Sequence, residues 1–467
     1  MKKTTLTIFA LALSVSAFAS TAQTEKTDKA AGKEKSETAQ KLKESVKNHF
    51  KFYGFIRNYF TYDSHESKAG TGDLFYWTPT DSRPDANGKD LNQINQFRFL
   101  SLTSRVGVDV SGYKAGSLEF GAKVEADFYA GLTGSTGTAQ LRLRQAFLTM
   151  TADGLGKNKA QKSVLKVGQA WHPMAADMPD IYSLETGAPF GPFSRTPLIQ
   201  EDYSFGKYWT ATAALIWQMQ YTSQGPSWDA TTGKYKNTAS ADYMKYGCVP
   251  EVYIGISYAN KGFLARAGVD VLSIRPRNWE DDATAKSIKA VNRETSVMGF
   301  AYLQYKKDLF ALKAKTTLGQ AGEHFGLMSG YVDYKDEDGN WAYDPLRVSA
   351  TWLTLSYGKK YKGAIMAGYS ENLGTAKEHV VANTYFNKNG YASINRMFRI
   401  EPEFTYNLGK FTVGIEYMLT SAQYGSKVPA PGDDVAAVAK AASRGLYTGN
   451  LHWVMNHRVQ AMVRFTW

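Results

Sequence analysis

The last segment of the chain limits its fold more than any other. From Arg458 to Trp467, the residues Val459, Ala461, Val463, Phe465 and Trp467 alternate with Arg458, Gln460, Met462, Arg464 and Thr466. Successive side chains of a strand project to opposite faces, so this segment is apolar on one face and largely polar on the other. The same period of two sets Leu118, Phe120, Ala122, Val124, Ala126 and Phe128 against Glu119, Gly121, Lys123, Glu125 and Asp127. It recurs where Phe263, Ala265, Ala267, Val269 and Val271 oppose Arg266 and Asp270, and where Phe411, Val413, Ile415, Tyr417 and Leu419 oppose Thr412 and Glu416. Runs of about nine residues or more cross a bilayer as tilted strands, whereas strands of soluble sheets centre on about five or six. The pattern predicts an all-β, transmembrane, antiparallel up-and-down barrel.

The start of the chain agrees with export. Lys2 and Lys3, an apolar run from Leu6 to Phe18 and the pattern Ala17-Phe18-Ala19 read as a secretory signal peptide over residues 1–19, cleaved after Ala19 or, as a second choice, Ala22. Elsewhere no run of about 18 apolar residues occurs, so membrane helices are excluded. Residues 23–49 carry seven Lys against five acids and contain no core. Ala39, Leu42 and Val46 fall at heptad spacing too briefly for a coiled coil, and the segment reads as a polar periplasmic tether or short helix. Residues 50–467 contain no dividing linker and read as one barrel domain. Cys248 is the sole cysteine, so no intrachain disulfide supports the fold. The net charge of +12 falls by 2 with Lys2 and Lys3 and by 2 with residues 23–49, which leaves +8 on residues 50–467; that balance fits nucleic acid or an anionic permeant, and export argues against nucleic acid.

Connections alternate between short and long. The short ones are Gly112–Gly116, Asp153–Lys162, Phe205–Lys207, Asn260–Gly262, Lys306–Asp308, Gly358–Lys362 and Asn407–Lys410. The long ones run near 63–92, 131–139, 172–194, 223–248, 276–293, 322–345, 374–392 and 425–445. Short periplasmic turns and long outer loops are how an outer-membrane barrel is built, and fifteen connections imply about 16 strands. The strand near 195–204 has no clean alternation; the side on which 223–248 must fall requires it. In 140–150, Leu148 and Met150 share parity with Arg142 and Arg144, which a β-bulge would correct.

A barrel of about sixteen strands is too wide for side chains to fill, and an aqueous channel results. Its character then depends on what narrows it. The loop 172–194 mixes Asp177, Asp180 and Glu185 with a Pro/Gly-rich stretch from Gly187 to Phe193. Folded inward, and followed by Arg195, it would form a constriction; an outer loop packed at the rim is the alternative. Arg57, Arg105, Lys123, Arg142 and Arg144 have lumen-facing parity, and such a ladder favours anions. Glu119, Glu125 and Asp127 share that face, so a neutral hydrogen-bonded wall is an equal alternative. No HExxH, GxSxG or P-loop pattern is present, the seven histidines are scattered, and no metal site or cofactor is expected. The acidic run Asp333–Asn340 departs from an EF-hand at Trp341 and reads as a solvated charged loop.

Several strings, in this order, resemble the trimeric porins of Gram-negative outer membranes, especially the DcaP-like group: Tyr53-Gly54-Phe55-Ile56-Arg57, Leu141-Arg142-Leu143-Arg144-Gln145-Ala146-Phe147, Lys166-Val167-Gly168-Gln169-Ala170-Trp171 and Ser194-Arg195-Thr196-Pro197. The resemblance implies an outer-membrane homotrimer, an inward third loop, passive diffusion and frequent preference for small anions such as dicarboxylates. The expectation is a general or mildly anion-preferring porin for small hydrophilic solutes, not an enzyme, in contact with outer-membrane lipid. A structural or adhesive barrel with a plugged lumen is the second reading, and a barrel hydrolase with a Ser/His or Asp/His pair the third. The terminal Phe465 and Trp467 resemble the signal read by the barrel-insertion machinery. Deletion of Trp467 is therefore expected to lower the folded fraction recovered from outer membranes, and unchanged insertion would refute that role.

Overall fold

The computed structural model describes residues 49–70, 74–129, 140–156, 159–229, 231–232, 234–281, 286–387 and 391–467. The expected signal peptide, and the expected tether apart from His49, lie outside the described residues. The barrel belongs to the unit Lys51–Trp467.

Its wall consists of β1 (Phe50–Asp63), β2 (in two pieces, Gln96–Leu100 and Arg105–Ala115), β3 (Leu118–Tyr129), β4 (Gln140–Leu155), β5 (Gln161–Trp171), β6 (Arg195–Phe205), β7 (Trp209–Ile216), β8 (Glu251–Asn260), β9 (Phe263–Ile274), β10 (Glu294–Lys307), β11 (Phe310–Gln320), β12 (Arg347–Gly358), β13 (Tyr361–Gly374), β14 (Ile394–Leu408), β15 (Phe411–Ser426) and β16 (Gly449–Thr466). Every neighbour is antiparallel, and β16 returns to β1 from Phe55↔Thr466 to Asp63↔Arg458. Closure is compulsory in hydrocarbon, where an unpaired strand edge would leave its N–H and C=O groups unsatisfied. The sixteen strands and the in-register β6, between β5 and β7, agree with the count of turns and loops.

Period-two alternation becomes an inside and an outside. Ile254, Val269, Leu303, Leu355 and Ile415 are 40–65% exposed, while the adjacent Tyr253, Asp270, Tyr302, Thr354 and Glu416 are at most 3% exposed. Outward apolar side chains on every such strand meet lipid; the inward ones meet the lumen and its loops. Near the short turns an aromatic girdle forms, with Trp209 against Tyr258, Tyr361 against Tyr406 and Phe411 against Phe465, ring centroids about 5 Å apart, as at a bilayer interface. Trp467 joins this girdle beside Phe465, and its N–H donates to Gly54 O at 3.2 Å. A Cβ on Gly54 would lie 2.3 Å from the Trp467 ring, so the absence of a side chain there lets the terminal indole cover β1.

The parity conflict in β4 is resolved by a bulge. Gln145 faces Glu125 and Leu143 faces Ala126 on β3, leaving Arg144 as the extra residue. Beyond it the phase reverses, and Leu148 points to lipid at 65% exposure. Arg144 itself turns into the lumen and is buried.

Long connections do not simply stand above the barrel. Phe75 and Trp77 from the first, Phe190 and Phe193 from the third, Phe325, Leu327 and Val332 from the sixth, and Phe386 and Tyr391 from the seventh share a core with Ile216, Trp352 and Met366 of the wall. Sequence patterning had assigned an inward course to the third loop alone. The acidic run at 333–340 also differs from the expected solvated loop at its first residue: Asp333 is buried, 2.6 Å from the Arg277 guanidinium and 2.7 Å from Tyr385 Oη. Only the turn near Asp336–Asn340 is wet, with Asp336 Oδ1 accepting from the Asp338 and Asn340 N–H groups.

The bulge makes a parity prediction. Leu148→Arg, on the lipid face, is expected to cost about 2–4 kcal/mol near mid-membrane, whereas Gln145→Arg, on the luminal face, is tolerated. Urea unfolding in lipid vesicles measures both, and equal losses would contradict this phase.

Candidate functional site

The third loop runs from His172 to Ser194 between β5 and β6, and wall residues hold it across the lumen. Asp177 accepts from Arg266 of β9 at 2.8 Å, with Lys315 of β11 at 3.8 Å. Asp180 lies 2.6 Å from Lys313 Nζ of β11 and accepts from Ser356 Oγ of β12 at 3.2 Å. Glu185 lies 3.4 Å from Arg399 of β14, which also donates to Ala188 O. Between these ion pairs, Tyr182 Oη donates to Gln460 O at 2.7 Å, Tyr59 Oη donates to Tyr182 O at 2.9 Å and Ser183 Oγ donates to Glu401 at 2.6 Å. Phe190 lies against Gly368, where any Cβ would come within 2.5 Å of its ring. The loop is thus fixed at β1, β9, β11, β12, β14 and β16, and the rim-packed alternative does not hold.

Burial alone would raise the Asp180 carboxyl, but the hydrogen bond from Lys313 overrides it and holds the group below the ordinary carboxylate value. At Glu185 burial prevails and pushes the carboxyl up to about 7, against the opposing Arg399. The loop acids therefore have their own cations on the far wall. They do not confront the arginines of the early strands, as a sequence pattern of acids opposite bases would suggest.

Those arginines line a cavity of about 270 Å³ on the other side of the loop. Arg57, Arg105, Arg142, Arg144 and Arg195 contribute to it, and so does Arg464 of β16; Phe75, Trp171, Phe193 and Tyr221 provide aromatic faces, and Ile181, Tyr182, Ser183 and Leu184 the loop side. Two carboxylates stand behind the cations. Glu125 lies 2.9 Å from Arg144 and 3.4 Å from Arg105, and Asp127 lies 2.9 Å from Arg142 and 2.6 Å from Arg144. Arg57 is held by Thr103 Oγ1 at 2.8 Å and by the rings of Phe55 and Tyr59. Arg195, 1% exposed, stacks on Trp171 and gives Nε–H to Gln220, while its Nη1 has no hydrogen-bond partner. Nε of Arg105 and of Arg464 is likewise buried without an acceptor. Among the described residues, Glu125 and Asp127 pair with three of the six guanidiniums, Arg105, Arg142 and Arg144, and an N–H group of each of Arg105, Arg195 and Arg464 is left over. In a low-dielectric wall such a group attracts an anion far more than it would in water.

Lys123 has the expected parity but lies outside the cavity, paired with Asp109 and donating to Tyr53 Oη at 3.0 Å. Phe465 and Trp467 belong to the girdle, away from the lumen. Sequence reasoning passed over Arg464, although its parity on the last strand was available, and over Lys313, Lys315 and Arg399, whose partners come from a loop more than a hundred residues away. Histidine–carboxylate pairs do form: His379 with Asp344 at 2.7 Å, His452 with Asp81 at 2.7 Å and His65 with Asp90 at 3.2 Å. In the last two the second ring nitrogen is taken by a backbone carbonyl, and no Ser, Thr or Cys is hydrogen-bonded to the His379 ring among the described residues.

No family model and no curated relative matches the chain. Among solved structures, it is similar to the outer membrane channel DcaP of Acinetobacter baumannii, with 16% identity, a TM-score of 0.58, and coverage of 90% of this chain and 97% of that one. It also aligns with an anion-selective porin from Comamonas acidovorans at 10% identity, TM-score 0.47, over 90% and 99% of the two chains. The trimer form of OmpT from Vibrio cholerae aligns at 13% identity, TM-score 0.46, with the same coverage. The chain has the fold of a Gram-negative outer-membrane porin, and its lipid-facing belt and closed wall are those of a bacterial outer-membrane barrel.

The tethers carry a pH signature. Asp180 is lowered on folding, so its contribution is complete above the ordinary carboxylate value and is lost as pH falls through the lowered one; the raised Glu185 becomes easier to bury as pH falls below about 7. The third loop is therefore expected to stay docked from neutral pH to about 5 and to loosen only in stronger acid. Asp177→Asn, which leaves Arg266 without its carboxylate, is expected to cost about 3 kcal/mol and to expose the loop to proteases already at neutral pH. Limited proteolysis across pH tests both expectations; a resistant Asp177→Asn variant would remove this ion pair from the anchoring scheme.

Proposed function

We propose that this barrel is a passive diffusion porin for small hydrophilic solutes, with a preference for anions, working as a homotrimer in the outer membrane and having no enzymatic activity. The arginine-lined cavity beside the third loop carries this reading. A permeating anion exchanges its hydration for guanidinium N–H groups that already lack acceptors, and pays little reorganisation because Trp171, Phe193 and the wall hold those groups in place. A cation entering the same space meets like charge. The aromatic faces around the cavity suit solutes with an apolar body and a negatively charged end.

Passive flow requires that binding stay weak enough for release, and Glu125 and Asp127 supply that moderation by holding part of the charge of Arg105, Arg142 and Arg144. Pore-lining roles accordingly go to Arg57, Arg105, Arg142, Arg144, Arg195 and Arg464. Asp177, Asp180 and Glu185 position the loop. Trimeric assembly is the arrangement that the resemblance to trimeric porins implies. Insertion by the barrel-assembly machinery belongs to the same reading, supported by the Phe465 and Trp467 rings at the end of the chain's last strand.

The inward-packed loops favour one competing reading, a plugged structural or adhesive barrel. Planar-bilayer recordings separate the two. In a KCl gradient the protein is expected to conduct with a reversal potential on the anion side, and Arg144→Glu combined with Arg195→Glu is expected to move that potential toward cations. A cation-selective wild type would overturn the anion preference, and a silent one would overturn the channel.

A further inference from the structure

At the root of the third loop lies a second polar cluster that permeation does not explain. His172, the residue after β5, is fully buried, as is Glu251 at the start of β8; Asp270 of β9 is 2% exposed and His324, in the 321–346 loop, 3%. His172 Nε2 lies 3.1 Å from Glu251 Oε1 and 3.6 Å from Asp270 Oδ1, and His324 Nε2 lies 3.4 Å from the same Glu251 oxygen. One donor atom from each of His172, Glu251 and Asp270 falls within 4.8 Å of the others. Glu251 Oε2, Asp270 Oδ1 and both ring nitrogens of His324 have no hydrogen-bond partner. The surroundings are aromatic: Phe325 lies edge-on to His172 at 4.8 Å and over His324 at 4.1 Å, and Tyr253 packs 6.3 Å from His172.

Two buried carboxylates with unused lone pairs, this close together, repel each other at considerable cost. A dication between them removes the repulsion and uses the lone pairs. The spacing fits: with metal–ligand bonds of about 2.0–2.1 Å in a tetrahedron, neighbouring donor atoms stand about 3.3 Å apart, and the His172–Glu251 and His172–Asp270 separations of 3.1 and 3.6 Å lie on either side of that value. Mixed imidazole and carboxylate donors suit zinc and its first-row neighbours, whereas calcium and magnesium take oxygen alone. We propose that His172, Glu251 and Asp270, with His324 beside them on Glu251, form a binding site for a divalent transition-metal ion such as Zn²⁺. The ion would join the root of the third loop to β8 and β9, a structural staple independent of the arginine cavity.

One contact sets the proton balance of the site. Met174 N–H donates to His172 Nδ1 at 3.1 Å, so the metal-free ring carries its proton on Nε2, toward Glu251. Uptake at Nε2 moves this proton to Nδ1, at the loss of the Met174 contact. Lys315, on β11 nearby, is occupied by Met174 O and Asp177.

The full chain, purified in detergent, stripped with chelator and dialysed against Zn²⁺, tests the site by elemental analysis after gel filtration. Wild type is expected to retain a single tightly held ion per chain, and Co²⁺ in its place is expected to give the intense visible absorption of four-coordinate cobalt. Asp270→Asn and His324→Ala, each checked for intact barrel circular dichroism, are expected to weaken binding by roughly 10- to 100-fold. Absence of retained Zn²⁺ in wild type overturns the proposal without recourse to a variant. So does retention by both variants equal to that of wild type, which would place the ion on the half-buried histidine–carboxylate pairs at His379 or His452. Conductance is not read, so the outcome is separate from that of the porin assignment.

Discussion

Everything in this molecule follows from the rule that a strand in hydrocarbon must have a partner on each side. The β16–β1 pairing from Thr466 to Arg458 fulfils it, and once it does, the circumference is set by strand number and tilt. A wall of sixteen strands encloses more space than its own side chains fill. The chain answers with loops, since lumen-facing residues such as Thr354 and Ser356 are too short to meet in the middle. Width imposed at the edge thereby creates the need for an interior built from elsewhere in the sequence.

How that interior is fixed explains its division into two sides. The third loop could be held by apolar packing alone, and Phe190 and Phe193 do contribute. A hydrophobic contact tolerates sliding, however, whereas Asp177 on Arg266, Asp180 on Lys313 and Glu185 on Arg399 fix position along the wall. Pairs this enclosed add less to net stability than their short distances suggest, because desolvation offsets much of the attraction. Their larger effect is on register. By consuming the basic residues of β9, β11 and β14, they leave the early strands as the side with surplus positive charge.

The wall was legible in the sequence because lipid and water impose a period of two that no packing detail can hide. Even β6, whose residues 195–204 do not alternate cleanly, followed from the parity of turns and loops. Lumen-facing arginines were legible for the same reason, and Leu148 gave away the bulge by standing on the wrong face. The partners of the loop acids were not legible: nothing local to Asp180 points to Lys313. The inward course of the first, sixth and seventh loops was equally silent, since Trp77, Phe325 and Tyr391 sit in segments whose polarity resembles that of ordinary outer loops. His172, Glu251, Asp270 and His324 span four separate elements, and their proximity belongs to the closed barrel rather than to any motif.

The bulge at Arg144 has a consequence for charge density. A regular strand offers its lumen one side chain for every two residues, about 6.6–6.8 Å of wall. By stepping Arg144 out of the ladder, β4 turns Arg144 and Gln145 inward in succession, so that both donate to the same Glu125 oxygen. The lipid-facing row loses nothing, because Leu143 and Leu148 both stay outside. A single extra residue thus sets two donors on one carboxylate more tightly than pleating allows, and it uncouples the electrostatics of the water-facing surface from the apolar spacing that the membrane demands.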